Sequence, residues 1–119
     1  MTIYFLDDDR IELAMWADII RRSGLDIKFQ LFTDCGAFKS VVFKTPPDIC
    51  IIDYVMPFHP GTEVCNWIRE LYPNIQVYIC SGLIGDEYKI LAESCGAKFI
   101  SKNIPFNERL EVVYNGCRS

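Results

Sequence analysis

Hydrophobic and polar positions fall in alternating blocks along the chain. Short apolar runs rich in β-forming residues lie at Ile3 to Leu6, Ile27 to Leu31, Ile49 to Ile52, Ile75 to Cys80 and Lys98 to Ile100, with stretches of helical length between them. The implied order is strand then helix, repeated five times. Runs such as Ile49-Cys50-Ile51-Ile52 are apolar on both faces of an extended chain, as strands of a parallel sheet covered by helices on each side require. The pattern predicts an α/β fold with a doubly wound, five-stranded parallel sheet.

The first helix should begin at Asp9, whose carboxylate caps free backbone N–H groups, with Glu12 completing a capping-box-like pair, and should stop near Gly24. Ile11, Met15 and Ile19 form one apolar stripe and Leu13, Trp16 and Ile20 another, which predicts a wide core face in preference to a stripe left open for a partner. Further helices fit Asp34 to Lys44, Thr62 to Leu71, Gly85 to Cys95 and Pro105 to Tyr114, bounded by Gly, Pro, Asn or Asp. Trp67 and Tyr88 read as packing or surface residues because no basic cluster accompanies them. Arg69-Glu70 and Glu108-Arg109 read as solvated helix faces.

Composition narrows the function classes. At 119 residues the chain is predicted to be one domain, 1–119, able to enclose a core without disulfide or metal staples. Half the residues are apolar and about a quarter charged, as in a globular protein. The net charge of -4 lacks the Lys/Arg excess that holds a phosphate backbone, so direct nucleic-acid binding is not expected. No apolar run approaches the roughly 20 residues that span a bilayer, and the amino terminus enters a strand without a basic leader. A cytoplasmic location with no membrane partner is the expectation, Met1 reads as a natural start, and an effector domain following Ser119 is left open. Cys35, Cys50, Cys65, Cys80 and Cys95 recur at equal spacing, but their surroundings do not match and none forms a Cys-x-x-Cys pair. They are predicted to be reduced packing residues.

Ligands of parallel α/β sheets bind beyond the carboxyl ends of the strands. Asp7 and Asp8 close the first predicted strand, Asp53 the third, Ser81 the fourth and Lys102 the fifth. Crowded carboxylates repel one another and raise their pKa values unless a hard divalent cation neutralises them, and Mg2+ suits such an all-oxygen set.

Through Leu6-Asp7-Asp8-Asp9, Ile51-Ile52-Asp53-Tyr54-Val55-Met56-Pro57, Gly61, Cys80-Ser81-Gly82 and Gly96-Ala97-Lys98-Phe99-Ile100-Ser101-Lys102, the chain resembles the receiver domains of two-component response regulators. The resemblance covers the whole chain. It implies a flavodoxin-like strand order 2-1-3-4-5 and a signalling module rather than an enzyme, in which Asp53 accepts a phosphoryl group from a sensor histidine kinase or phosphotransfer protein. It further implies Mg2+ held by Asp8, Asp53 and the Val55 backbone carbonyl, with Asp7 acting partly through water. Ser81 and Lys102 would face the phosphoryl group, and Ser81 with Phe99 would switch a surface read by a downstream protein or attached output domain. A dimer through the fourth and fifth helices is compatible with it.

Asn103 departs from the family, most of whose members carry proline after the lysine, and it predicts a trans peptide at that position. Ser81 and Phe99 replace the commoner threonine and tyrosine. Val55 and Leu83 are apolar where hydrolytic water approaches in the family, and His59 is read as a solvated loop residue. The alternative is a pseudo-receiver that works by phosphorylation-independent contacts. A flavodoxin-like protein would need a Ser/Thr/Gly-rich phosphate loop after the first strand, and an aspartate-nucleophile phosphatase would carry its nucleophile there; Asp7-Asp8-Asp9-Arg10 matches neither.

Overall fold

A computed structural model of the chain describes residues 1–57 and 59–118. Strands β1 (Thr2–Leu6), β2 (Lys28–Phe32), β3 (Ile49–Asp53), β4 (Gln76–Ser81) and β5 (Lys98–Ser101) alternate with helices α1 (Arg10–Ser23), α2 (Cys35–Lys44), α3 (Gly61–Leu71), α4 (Asp86–Ser94) and α5 (Phe106–Arg118). All strand pairs are parallel, as the apolar runs predict, and the sheet order is β2-β1-β3-β4-β5, as the family resemblance implies.

Successive residues of a strand point to opposite faces, and the core divides accordingly. Tyr4, Leu6, Cys50, Ile52, Val77 and Ile79 pack under Phe38, Val42, Val64, Cys65 and Ile68 from α2 and α3 and Ala92 from α4. Ile3, Phe5, Ile49, Ile51, Tyr78, Cys80 and Ile100 meet Leu13, Trp16 and Ile20 of α1 and Leu110 and Val113 of α5. Every residue of β3 is buried. Each fully buried large aliphatic side chain contributes roughly 1.5–3 kcal/mol, so Ile49 to Ile52 anchor both halves of the core.

Several local expectations need correction. Asp9 caps α1, accepting from the N–H groups of Ile11 (2.9 Å) and Glu12 (3.4 Å), but no capping box forms. The Asp9 N–H that Glu12 would accept already donates to Asp7 Oδ1 at 2.9 Å, and Glu12 turns to Arg109 instead. The core face of α1 is narrower than predicted: Leu13, Trp16, Ala17 and Ile20 are buried, Met15 is exposed and Ile11 is 72% exposed. Helix α5 runs on to Arg118, past the predicted end at Tyr114. Gly116 lies within that extension because an added Cβ would strike the Tyr78 hydroxyl. All six cysteines are free.

Candidate functional site

Parallel register brings the sequence-predicted residues to one edge of the sheet. Leu6 pairs with Ile52, Asp53 with Cys80 and Ser81 with Ser101, so Asp7, Asp53, Ser81 and Lys102 fall at consecutive strand ends. The Asp7 N–H donates to Phe32 O at 3.0 Å, and the Lys102 N–H donates to Ser81 O at 2.9 Å. These bonds carry the ladder pattern one residue beyond the strands and fix where the site side chains start.

Lys102 Nζ lies 2.9 Å from Asp7 Oδ2 and 3.0 Å from Asp53 Oδ1. Both carboxylates are buried, whereas Asp8 is exposed. One oxygen from each of Asp7, Asp8 and Asp53 can be chosen so that all lie within 4.8 Å of one another. Burial, and then the negative charge of Asp7, push the Asp53 carboxyl up to about 6 against the opposing pull of Lys102. Asp7 is also raised, chiefly by burial, although the Asp9 N–H and Lys102 work against it. Burial would lower the Lys102 ammonium, but its bonds to both aspartates outweigh that and hold it above the usual lysine range.

This donor set fits a hard divalent cation: the ligands are all oxygen, the negative charge exceeds what one lysine balances, and exposed Asp8 opens the cluster to solvent. A cleft of about 360 Å³ adjoins Asp8, lined by Thr33, Asp34, Cys35, Gly36, Met56, Pro57 and His59. Val55 follows in the loop after β3 and its side chain is 57% exposed. The His59 ring is exposed, with Nδ1 4.0 Å from Glu63 Oε1, as expected of a solvated loop residue.

Ser81 is 1% exposed and its Oγ accepts the Leu83 N–H at 3.0 Å. Phe99, paired with Ile79, is half-buried against the α2–α4 side of the core. No described peptide is cis, so the Lys102–Asn103 bond is trans as predicted. The Asn103 N–H donates to Ser101 Oγ (3.0 Å) and its Nδ2 to Gly82 O (3.2 Å). Gly61 closes the other side of the site: its N–H donates to Tyr54 O at 3.0 Å, and a Cβ there would come within 2.5 Å of Asp53 O.

Arg109, read from sequence as part of a solvated face, is instead 3% exposed. It bonds Glu12 Oε2, Ile104 O and Lys102 O, and so belongs to the setting of the site. A signal was present: Phe106, Arg109, Leu110 and Val113 share one helical stripe, which places a cation on the core face of α5. Arg69, likewise read as solvated, reaches back to Pro73 O at 2.8 Å and Ile75 O at 3.3 Å.

The family model of the response regulator receiver domain matches residues 3–114. The chain is similar to the response regulator protein TodT of Pseudomonas putida, at 30% identity over 107 residues covering 89% of this chain and 45% of TodT. It thus spans about half the length of the curated relatives it matches. Its fold resembles the signal receiver domain of a DNA-binding response regulator protein from Colwellia psychrerythraea, with TM-score 0.89 and 17% identity over 100% of this chain and 99% of that one. It also resembles a CheY-like receiver domain protein from Methanospirillum hungatei, with TM-score 0.87 and 19% identity over 98% of this chain and 93% of that one.

Proposed function

The chain belongs to the response regulator receiver domain family, and on that premise we propose that it is a phosphorylation switch, a receiver unit over 1–119 whose Asp53 accepts a phosphoryl group from a sensor histidine kinase or phosphotransfer protein. Receiver domains are signalling modules that work with kinases and output domains. The observation that supports this reading is the Lys102 ammonium bridging Asp7 and Asp53 at the joined strand ends.

In the proposed reaction an Asp53 oxygen forms a bond to phosphorus as the bond from phosphorus to the donor's imidazole nitrogen breaks, and the electron pair of that bond stays on the imidazole. Lys102 holds Asp53 through Oδ1, which orients the carboxylate and leaves it a second oxygen to offer. As charge builds on the phosphoryl oxygens, the ammonium is placed to turn towards them and the Ser81 hydroxyl to donate a hydrogen bond. Mg2+ bound by Asp8, Asp53 and the Val55 carbonyl, with Asp7 partly through water, would offset the charge of the transferring group. Burial around Asp7, Asp53 and Ser81 strengthens each of these interactions by lowering the local dielectric.

We place the protein in the cytoplasm, as is typical of the family; no described helix is long and apolar enough to cross a membrane. Its output is a contact with a downstream protein or attached output domain rather than with nucleic acid directly. Exposed Ile84, Ile90 and Leu91 at α4 support an apolar contact there, including the α4–α5 dimer.

Incubation with Mg2+ and acetyl phosphate followed by intact-mass measurement tests the reading. One added phosphoryl group in the wild type and none in Asp53→Asn are expected. No uptake by the wild type would return the pseudo-receiver reading.

A further inference from the structure

Among the described residues, Arg109 is the most deeply buried basic side chain. A guanidinium stays charged at any physiological pH and presents its donors as a rigid fork, so its burial must be answered by acceptors set to that fork. Nε donates to Ile104 O at 2.9 Å, Nη1 to Glu12 Oε2 at 3.0 Å and Nη2 to Lys102 O. The Phe106 ring lies against the guanidinium, 3.9 Å from Cζ to ring centroid. Two of these acceptors are the backbone carbonyls on either side of Asn103. The third is a carboxylate on the first turn of α1, just past the loop that carries Asp7 and Asp8.

In the sheet, β1 and β5 are separated by β3 and β4. Arg109 spans that gap on the α1 and α5 side, while Asn103 ties the same loop to the end of β4 through Gly82 O. The backbone under Lys102 is therefore fastened towards two different elements.

We propose that Arg109 is a positioning residue for the phosphoryl-transfer site: by gripping the Lys102 carbonyl it sets where the Lys102 ammonium sits between Asp7 and Asp53, and through Glu12 it holds the β1 and β5 ends in their mutual placement. The effect on transfer rests on the reading of Asp53 as phosphoacceptor, whereas the placement of Lys102 does not. Arg109→Lys keeps the positive charge and loses the fork, so it tests the geometry of the grip at constant charge.

The test uses the full chain and two readouts. Timed acylation of lysine amines, read by peptide mass spectrometry, should be slow at Lys102 in the wild type and faster in Arg109→Lys, with exposed Lys28, Lys89 and Lys98 unchanged. The initial rate of Mg2+-dependent uptake from acetyl phosphate should fall about tenfold to a hundredfold in Arg109→Lys, the size of effect that a small misplacement of a reacting group produces. It should fall no further when Arg109→Lys is added to Lys102→Met, because a residue acting through Lys102 has nothing left to act on. Unchanged Lys102 labelling, or losses that add in the double variant, would overturn the proposal. Where Arg109→Lys labels faster at every lysine, the chain has opened as a whole, and Glu12→Gln decides by the same selective rise at Lys102 or its absence. A wild type that takes up no phosphoryl group defeats the functional reading, and the labelling then decides the role of Arg109 alone.

Discussion

Lys102 Nζ stands 3.0 Å from Asp53 Oδ1, so the carboxylate read as the acceptor carries its counter-charge before any ligand arrives. The same ammonium reaches Asp7, and one cation thus serves two buried anions. Lys102→Met should leave both aspartates unpaired and destabilise the protein at pH 7 by about 3 kcal/mol, the usual result of removing one partner of a buried pair. The loss should shrink as pH falls towards 6, because Asp53, raised to about 6 by burial and by Asp7 even with Lys102 pulling it down, rises further without that lysine and takes up a proton at higher pH than in the wild type. Urea unfolding from pH 5 to 8 checks this; a pH-independent loss would mean that lost packing dominates.

The raised Asp53 carboxyl also has a consequence in the absence of Mg2+. An acid whose folded pKa lies above its unfolded value binds its proton more tightly in the native state, so ionising it costs stability. That cost is absent below about pH 4, grows as pH rises towards 6 and is fully present above it. Asp53→Asn should therefore melt higher than the wild type at pH 7 without metal, and the two should converge near pH 4. Added Mg2+ should stabilise the wild type selectively, and its apparent affinity should fall as pH drops below 6. Thermal melts with and without chelator give both results.

Much of this arrangement was legible in the sequence because two-sided apolar runs leave a parallel α/β sheet as their natural packing, and that fold has only one edge where Asp7, Asp53, Ser81 and Lys102 can meet. Long-range polar partnerships were not legible in the same way. Glu12 looked like a cap because Asp9 lies three residues before it, yet the N–H it would take belongs to Asp7, and its true partner, Arg109, is 97 residues away. Asn115 and Gly116 suggested the end of a helix, but the glycine is there to clear the Tyr78 hydroxyl, and the helix continues.

Gly61 sets how closely α3 approaches the end of β3. An added Cβ would lie 2.5 Å from Asp53 O and 3.1 Å from Tyr54 Cα, and both are backbone atoms with little freedom to retreat. Gly61→Ala should cost about 1–3 kcal/mol, typical of forced overpacking, and slow phosphoryl uptake through displacement of Asp53. Denaturant unfolding beside acetyl phosphate kinetics would measure both, and a variant of wild-type stability and rate would show that α3 can shift outward freely.

Val55 and Leu83 lie in the loops after β3 and β4 with their side chains exposed. Neither can orient an attacking water by hydrogen bonding, so the aspartyl phosphate should be long-lived. Val55→Asn with Leu83→Glu should supply that orientation and shorten the lifetime, by at most roughly 100-fold, the low end of catalysis by positioned polar groups. Loss of the phosphoryl mass after desalting times the decay; an unchanged or longer lifetime would remove water orientation as the control.

The last prediction concerns how phosphorylation reaches the surface. The Ser81 Oγ accepts the Leu83 N–H at 3.0 Å, which ties the buried hydroxyl to the loop that leads through exposed Ile84 into α4. Phe99 lies half-buried on the neighbouring strand and, having no hydroxyl, can turn inward without stranding a polar group. A phosphoryl group on Asp53 that draws the Ser81 hydroxyl towards itself should lengthen or break the Leu83 bond, free the 83–85 loop and open space for Phe99. The α4 and β5 face is then the element with two arrangements, and the phosphoryl group biases it only as far as its contacts differ between them. Relaxation-dispersion NMR should find microsecond-to-millisecond exchange from Ser81 to Lys102 in the free protein. Beryllofluoride should shift that exchange towards one state, with the Leu83 amide among the largest movers. A Leu83 amide that stays put while the site is filled, with no exchange at Phe99, would rule out this coupling and leave the loop after Asp53 as the surface that partners read.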